Sequence, residues 1–202
     1  MPPLVSRQTT LRVSIAAACL LASVAATTAF AAPTPPSSGG GGATFQPPPP
    51  PPERATLVDG RVIAPASAPA RIKSVIDAAN RLVEKPYIYG GGHRPYKVSA
   101  ASALVKLDRG YDCSGSVSFA LHGGSFLRSP LPSGPLMRWG QAGPGTWITV
   151  YSSPSHAYLV VAGLRFDTSM HDPDAPGPRT GPRWSRTLRK SKAFVARHPR
   201  GY

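Results

Sequence analysis

Cysteine is almost missing from this chain: there are two in 202 residues, and one of them, Cys19, lies in an N-terminal apolar stretch. A disulfide framework is therefore excluded, because Cys113 has no partner once that stretch is set aside. Acidic residues are scarce as well. Nine Asp and Glu stand against 23 Lys and Arg, a formal charge of +14, so the chain seeks polyanions. Aromatic and basic residues are not interleaved, which argues against a base-stacking surface and hence against nucleic acid as the polyanion. No two histidines fall at ligand spacing on one element, which argues against a metal site. Long apolar runs are lacking apart from Val13 to Ala26, which is short for a membrane span and is broken by Ser14 and Ser23.

That run, preceded by Arg7 and Arg12 and followed by Ala29-Phe30-Ala31, predicts a signal peptide over residues 1–31. Cys19 does not suit lipid attachment, since the apolar run continues past it. The mature chain is then secreted or periplasmic, associated with the cell envelope, and not an integral membrane protein. Residues 32–68 are rich in Gly and Pro, with a run Pro47 to Pro52 that suits a polyproline spacer of roughly 19 Å. They predict a disordered linker. About 135 residues remain, enough for one core without disulfides or metal. The folded domain is expected over 69–178, followed by a basic extension over 179–202 that holds Arg183, Arg186, Arg189 and Arg197 but no acid, with Trp184 as an anchor.

Within the domain, Ile72, Val75, Ile76, Ala79, Leu82 and Val83 recur at helical spacing from Pro69, and Pro86 ends the pattern. Tyr87-Ile88-Tyr89 then runs into Gly90, Gly91 and Gly92, glycines that permit a turn or a close backbone approach. A short Ala-rich helix is expected over Ser99 to Leu107. A further helix is expected over Ser114 to His122, with Asp112 available to cap its first turn and Gly123-Gly124 to stop it. After a proline-rich loop the pattern turns to strand: Thr146 to Tyr151, His156 to Ala162, then a Gly163-Leu164 turn and Arg165 to Ser169. Helices followed by consecutive strands predict an α+β fold, with helices packed on an antiparallel sheet.

Cys113 is the residue around which chemistry gathers. A free thiol, with a pKa of about 8.5, is mostly protonated at neutral pH, and a helix start lowers that value by offering N–H groups and the positive end of a dipole. The same N–H groups suit the oxyanion that forms when a carbonyl is attacked. A thiolate nucleophile needs a general base, and histidine fits that task. His93 lies in the glycine loop, His122 ends a helix, His171 follows the last strand and His198 sits in the basic tail. His156 opens a strand that would pack against the Cys113 helix, which makes it the candidate base. The group that orients it is open: Asp167 shares its face by parity, whereas a Gly163-Leu164 turn sets His171 opposite His156.

Asp112-Cys113-Ser114-Gly115, preceded by Tyr87-Ile88-Tyr89-Gly90-Gly91 and followed by a strand opening with His156, resembles the NlpC-type peptidoglycan peptidases, which are papain-like cell-wall hydrolases. The resemblance covers roughly residues 70 to 170. It implies a papain-like α+β fold, Cys113 as nucleophile, His156 as base, Asp167 as the third polar residue and Tyr87 as a group that helps hold the reacting carbonyl. It also implies a cysteine endopeptidase that cuts stem-peptide amides, between D-glutamate and a diamino acid; no cofactor is expected. Peptidoglycan stem peptides are the expected partners, with anionic envelope polymers as a second class. A wall-binding protein that keeps the fold without activity is the alternative. The interval from Gly92 to Asp112 is longer than the family's linker, and histidine is commoner than an acid at the third position.

Overall fold

A computed structural model describes residues 53–100, 104–169 and 181–202, all within the unit Pro47–Tyr202. The expected signal segment, residues 32–52 of the expected linker, Cys19 and His171 lie outside the described residues. The elements run β1 (Thr56–Val58), β2 (Arg61–Ile63), α1 (Ala70–Asn80), α2 (Cys113–Gly123), α3 (Ser133–Leu136), β3 (Gln141–Ala142), β4 (Ile148–Ser152), β5 (Ala157–Val161), β6 (Leu164–Asp167), β7 (Arg183–Ser185) and β8 (Val195–His198). Among the described residues no helix is long and apolar enough to cross a membrane.

Pro69 precedes α1 with φ −55° and ψ 147°, an extended entry that its ring favours. The apolar stripe of Ile72, Val75, Ile76 and Ala79 is buried, and each of its larger side chains contributes about 1.5–3 kcal/mol on leaving water. That stripe faces α2. Helix α2 is buried from Cys113 to Leu121 because it lies between α1 and the strands β5 and β6. Its small residues, Ser114, Gly115, Ser116, Ser118 and Ala120, suit such close packing on several sides.

The main sheet is antiparallel, in the order β3-β8-β4-β5-β6-β7. Val150, Leu159, Val161 and Phe166 fill its buried face, and the ring of Trp184 in β7 packs on Phe166 at 4.9 Å, tilted by 46°. The Trp184 indole N–H donates to Asn80 Oδ1 at 3.0 Å, while the Asn80 amide exchanges two further bonds with the backbone of Val62. One asparagine at the end of α1 thus joins helix, hairpin and sheet. The molecule is an α+β protein with helices against an antiparallel sheet.

The structure differs from the sequence expectations at four places. Thr56–Val58 and Arg61–Ile63 form a hairpin inside the span expected to be linker, turned by Asp59 (φ 47°) and Gly60 (φ 74°), a pair that accepts the left-handed geometry of a tight turn. Among the described residues of Ser99 to Leu107 no helix is formed: Val98 bridges Val105 in antiparallel fashion, with Ser99 N–H donating to Leu104 O at 2.7 Å and Lys106 N–H to Lys97 O at 2.8 Å. Two β-branched valines favour that extended pairing over helix. Residues 183–185 and 195–198, within the expected basic extension, are strands of the main sheet. Lastly, Ala162 (φ 45°) and Gly163 (φ 82°) make the β5–β6 turn, so Val161 pairs with Leu164 and the register moves.

Candidate active site

Asp112 fixes the start of α2. Its Oδ1 accepts the Gly115 N–H at 2.7 Å, as a helix cap does, and the Ser114 hydroxyl at 3.3 Å. Oδ2 accepts the Gly90 N–H at 3.0 Å, and the Asp112 N–H donates to Gly91 O at 3.1 Å. The glycine loop is thereby clasped to the helix. The approach needs glycine at 115, where a Cβ would lie 2.1 Å from Gly91 O. Burial works against ionisation of Asp112, yet hydrogen bonds from His93 and from the Gly115 and Gly90 N–H groups hold its carboxyl below the usual range. His93 Nε2 lies 3.0 Å from Asp112 Oδ1 and 3.1 Å from Ser114 Oγ.

Cys113 follows as the first residue of α2, buried but not sealed, at 8% exposure. His156, just before β5, stands close enough to its sulfur that each group shifts the other's pKa. The other side of the ring is held by Asp167: His156 Nε2 lies 2.8 Å from Asp167 Oδ1. Since Nε2 is engaged there, Nδ1 is the nitrogen left for the thiol. The β5–β6 register explains the contact. With Leu159 opposite Phe166, continuing the ladder sets Asp167 across from Tyr158, one diagonal step from His156 on the same face. The expected Gly163-Leu164 turn would have set Asp167 opposite Val160.

Burial alone would raise the thiol pKa of Cys113, but the hydrogen bond with His156, another from the Ala157 N–H and the imidazolium charge outweigh it and bring the thiol below its ordinary value. Burial alone would lower His156; its hydrogen bonds to Asp167 and Cys113, with their negative charges, push it up to about 9. The two shifts run in the direction of a thiolate–imidazolium pair, the form in which sulfur is nucleophilic and nitrogen can release a proton.

Asp167 has a fully buried side chain, and burial disfavours its charge. His156 and the Ser169 N–H, at 3.1 Å from Oδ1, offset this and hold the carboxyl below the usual range. Arg189 Nη1 donates to Ser169 Oγ at 2.7 Å and to Asp167 Oδ2 at 3.4 Å, and Arg165 Nε lies 3.7 Å from the same oxygen. Arg189 also stands over the Phe194 ring at 5.1 Å. Sequence reasoning missed Arg189, Ser169 and the Ala157 N–H. No motif marks them, although a carboxylate on a buried strand always requires compensating donors.

Tyr87 bridges Tyr111 in parallel fashion, with Tyr111 N–H donating to Pro86 O at 3.1 Å and Ile88 N–H to Tyr111 O at 3.3 Å. This pins it beside the residues leading to Cys113. Partial burial pushes its phenol up, and the charges of Cys113 and Asp112 add to the effect, which puts the ring within electrostatic reach of the sulfur. Two other histidines are structural: His122 Nδ1 binds Leu127 O at 2.8 Å beneath the Tyr96 ring, and His198 Nδ1 binds Gly143 O at 2.9 Å. Among the described residues no group of three or more His, Cys, Asp and Glu is arranged to hold a metal ion.

Helix and sheet thus bring a cysteine, a histidine and an aspartate into one line on an α+β frame. No family model matches this chain, and no curated protein matches it. Among solved structures it is similar to the Resuscitation Promoting Factor Interacting protein RipA, in a form mutated at one cysteine, with 18% identity over 72% of this chain and 72% of that one and a TM-score of 0.42.

Proposed function

We propose that this protein is a papain-like cysteine endopeptidase of the NlpC type that hydrolyses cell-wall peptidoglycan, acting in the envelope after export. The observation that carries the reading is His156, 2.8 Å from Asp167 Oδ1 and beside Cys113, whose charge helps raise the imidazole pKa to about 9. In this reading the Cys113 thiolate attacks a stem-peptide carbonyl, forming the S–C bond. The oxyanion is met by the backbone N–H at the start of α2 and by the Tyr87 hydroxyl. His156 gives its proton to the leaving amine as the C–N bond breaks, leaving an acyl-enzyme. A water molecule then loses a proton to His156 and attacks the thioester, and the thiolate departs. Asp167 keeps the ring oriented and stabilises the imidazolium throughout.

The bond between D-glutamate and the diamino acid is the preferred target, from the family resemblance. Incubating the purified mature chain with muropeptides and identifying the products by mass spectrometry tests both activity and bond. New amine and carboxyl termini at a stem-peptide amide, absent with Cys113→Ala, are expected. Undigested muropeptides with parent and variant alike would leave a wall-binding protein without activity.

A further inference from the structure

Arg94, Lys97, Lys106 and Arg109 lie between the glycine loop and Cys113, all four exposed. Among the described residues none of them forms an ion pair. Two adjoining hollows open among them. The first, of about 310 Å³, is lined by Ile88, Tyr89, Arg94, Asp108 and Arg109 together with Gly90 and Gly91. The second, of about 320 Å³, shares Arg94 and Asp108 and adds Lys97 and Lys106. Asp108 is the one acid of the pair of hollows, and its Oδ2 is engaged by the Gly92 N–H at 3.1 Å. The sign of the surface is positive.

Its location ties it to the candidate active site. Gly90 and Gly91, which wall the first hollow, are the residues whose backbone clasps Asp112, and Ile88 donates its N–H to Tyr111 O. An occupant there rests on the loop that is hydrogen-bonded to the residues leading into Cys113. The volume is at the lower end of small-molecule pockets, about 300–1,000 Å³, which suits one arm of a short peptide better than a polymer. Two guanidinium groups favour planar oxyanions. Ile88 and Tyr89, 41% and 90% exposed, give apolar surface beside them.

We propose that the hollow between Arg94 and Arg109 is a subsite for a free carboxylate of the stem peptide, an assignment that rests on the hydrolase reading and gives it a substrate preference. The probes are one muropeptide with free stem-peptide carboxylates and the same muropeptide amidated at them. The parent chain favours the free form at least tenfold in kcat/KM, through KM. An R94Q/R109Q double variant loses that preference while its Cys113 alkylates at the parent's rate. Equal use of both peptides by the parent, or an undiminished preference in the double variant, overturns the proposal.

Should the parent cut neither peptide, the hydrolase reading fails, and binding of the same two peptides to the Cys113→Ala chain still decides the subsite. Tighter binding of the free form that vanishes with the two arginines supports it, and equal binding overturns it. Inorganic polyphosphate bound through Arg94 and Arg109, with neither peptide bound, would overturn it in favour of a polymer site.

Discussion

Arg189 and Asp167 meet at 3.4 Å, guanidinium to carboxylate oxygen, so a residue from the basic C-terminal segment helps hold the group that holds His156. The same guanidinium nitrogen donates to Ser169 Oγ at 2.7 Å, and that hydroxyl donates in turn to Asp167 at 3.1 Å. Charge on a fully buried carboxylate is sustained by such a ring of donors.

Replacing Arg189 by alanine should lower stability by about 1–2 kcal/mol, as for loss of a hydrogen bond to a charged group, and should lower kcat more than it raises KM. Arg189→Lys restores part of both. Urea denaturation and steady-state kinetics on the three proteins test this, and an Arg189→Ala chain with unchanged stability and kcat would remove Arg189 from the site's support.

Cys113→Ala and His156→Ala should each abolish muropeptide cleavage while leaving the far-ultraviolet circular dichroism of the parent. In the parent, alkylation of Cys113 should proceed at pH values well below those at which a free thiol, pKa about 8.5, reacts. His156→Ala shifts that profile toward the free thiol. Activity should fall again as pH rises through about 9, where His156 loses the proton it gives to the leaving amine. A profile for Cys113 that matches a free thiol would refute the ion pair.

Asp167 carries a depressed carboxyl pKa, so its contribution to stability is present above the ordinary carboxyl value and is lost as pH falls through the lowered one. Thermal midpoints of the parent and Asp167→Asn should therefore differ most near neutral pH and converge in acid. A gap that stays constant with pH would mean that the Asp167 charge adds nothing to the fold.

Gly115→Ala places a methyl group 2.1 Å from Gly91 O and 3.0 Å from Gly92 Cα. Overpacking of this kind costs about 1–3 kcal/mol and pushes the glycine loop off the helix. The expected result is a lower thermal midpoint together with loss of cleavage, read on the same preparation.

Much of the site could be read from residues alone, because its organising features are local. Asp112 before Cys113 is a cap before a helix, and the apolar spacing from Ile72 to Ala79 writes out α1. Asp167 was harder, since its position depends on which two residues turn the β5–β6 hairpin. Ala162, with φ 45°, takes a conformation that its side chain does not advertise. Arg183 to Ser185 and Val195 to His198 look like an extension by composition, for their place in the sheet comes from backbone pairing and not from an apolar alternation. Asp59-Gly60 is a recognised turn pair, hidden by the proline-rich stretch before it. The alanines near 100 suggest helix, yet Val98 and Val105 bridge in antiparallel fashion instead.

Strand β8 lies between β3 and β4, and β3 pairs with no other strand of the sheet. A ribosome that has released β4 and β5 has yet to make the piece that joins β3 to them. Arg189 emerges in the same late portion. The nascent chain therefore passes through synthesis with its sheet unfinished and its aspartate still lacking the Arg189 bond.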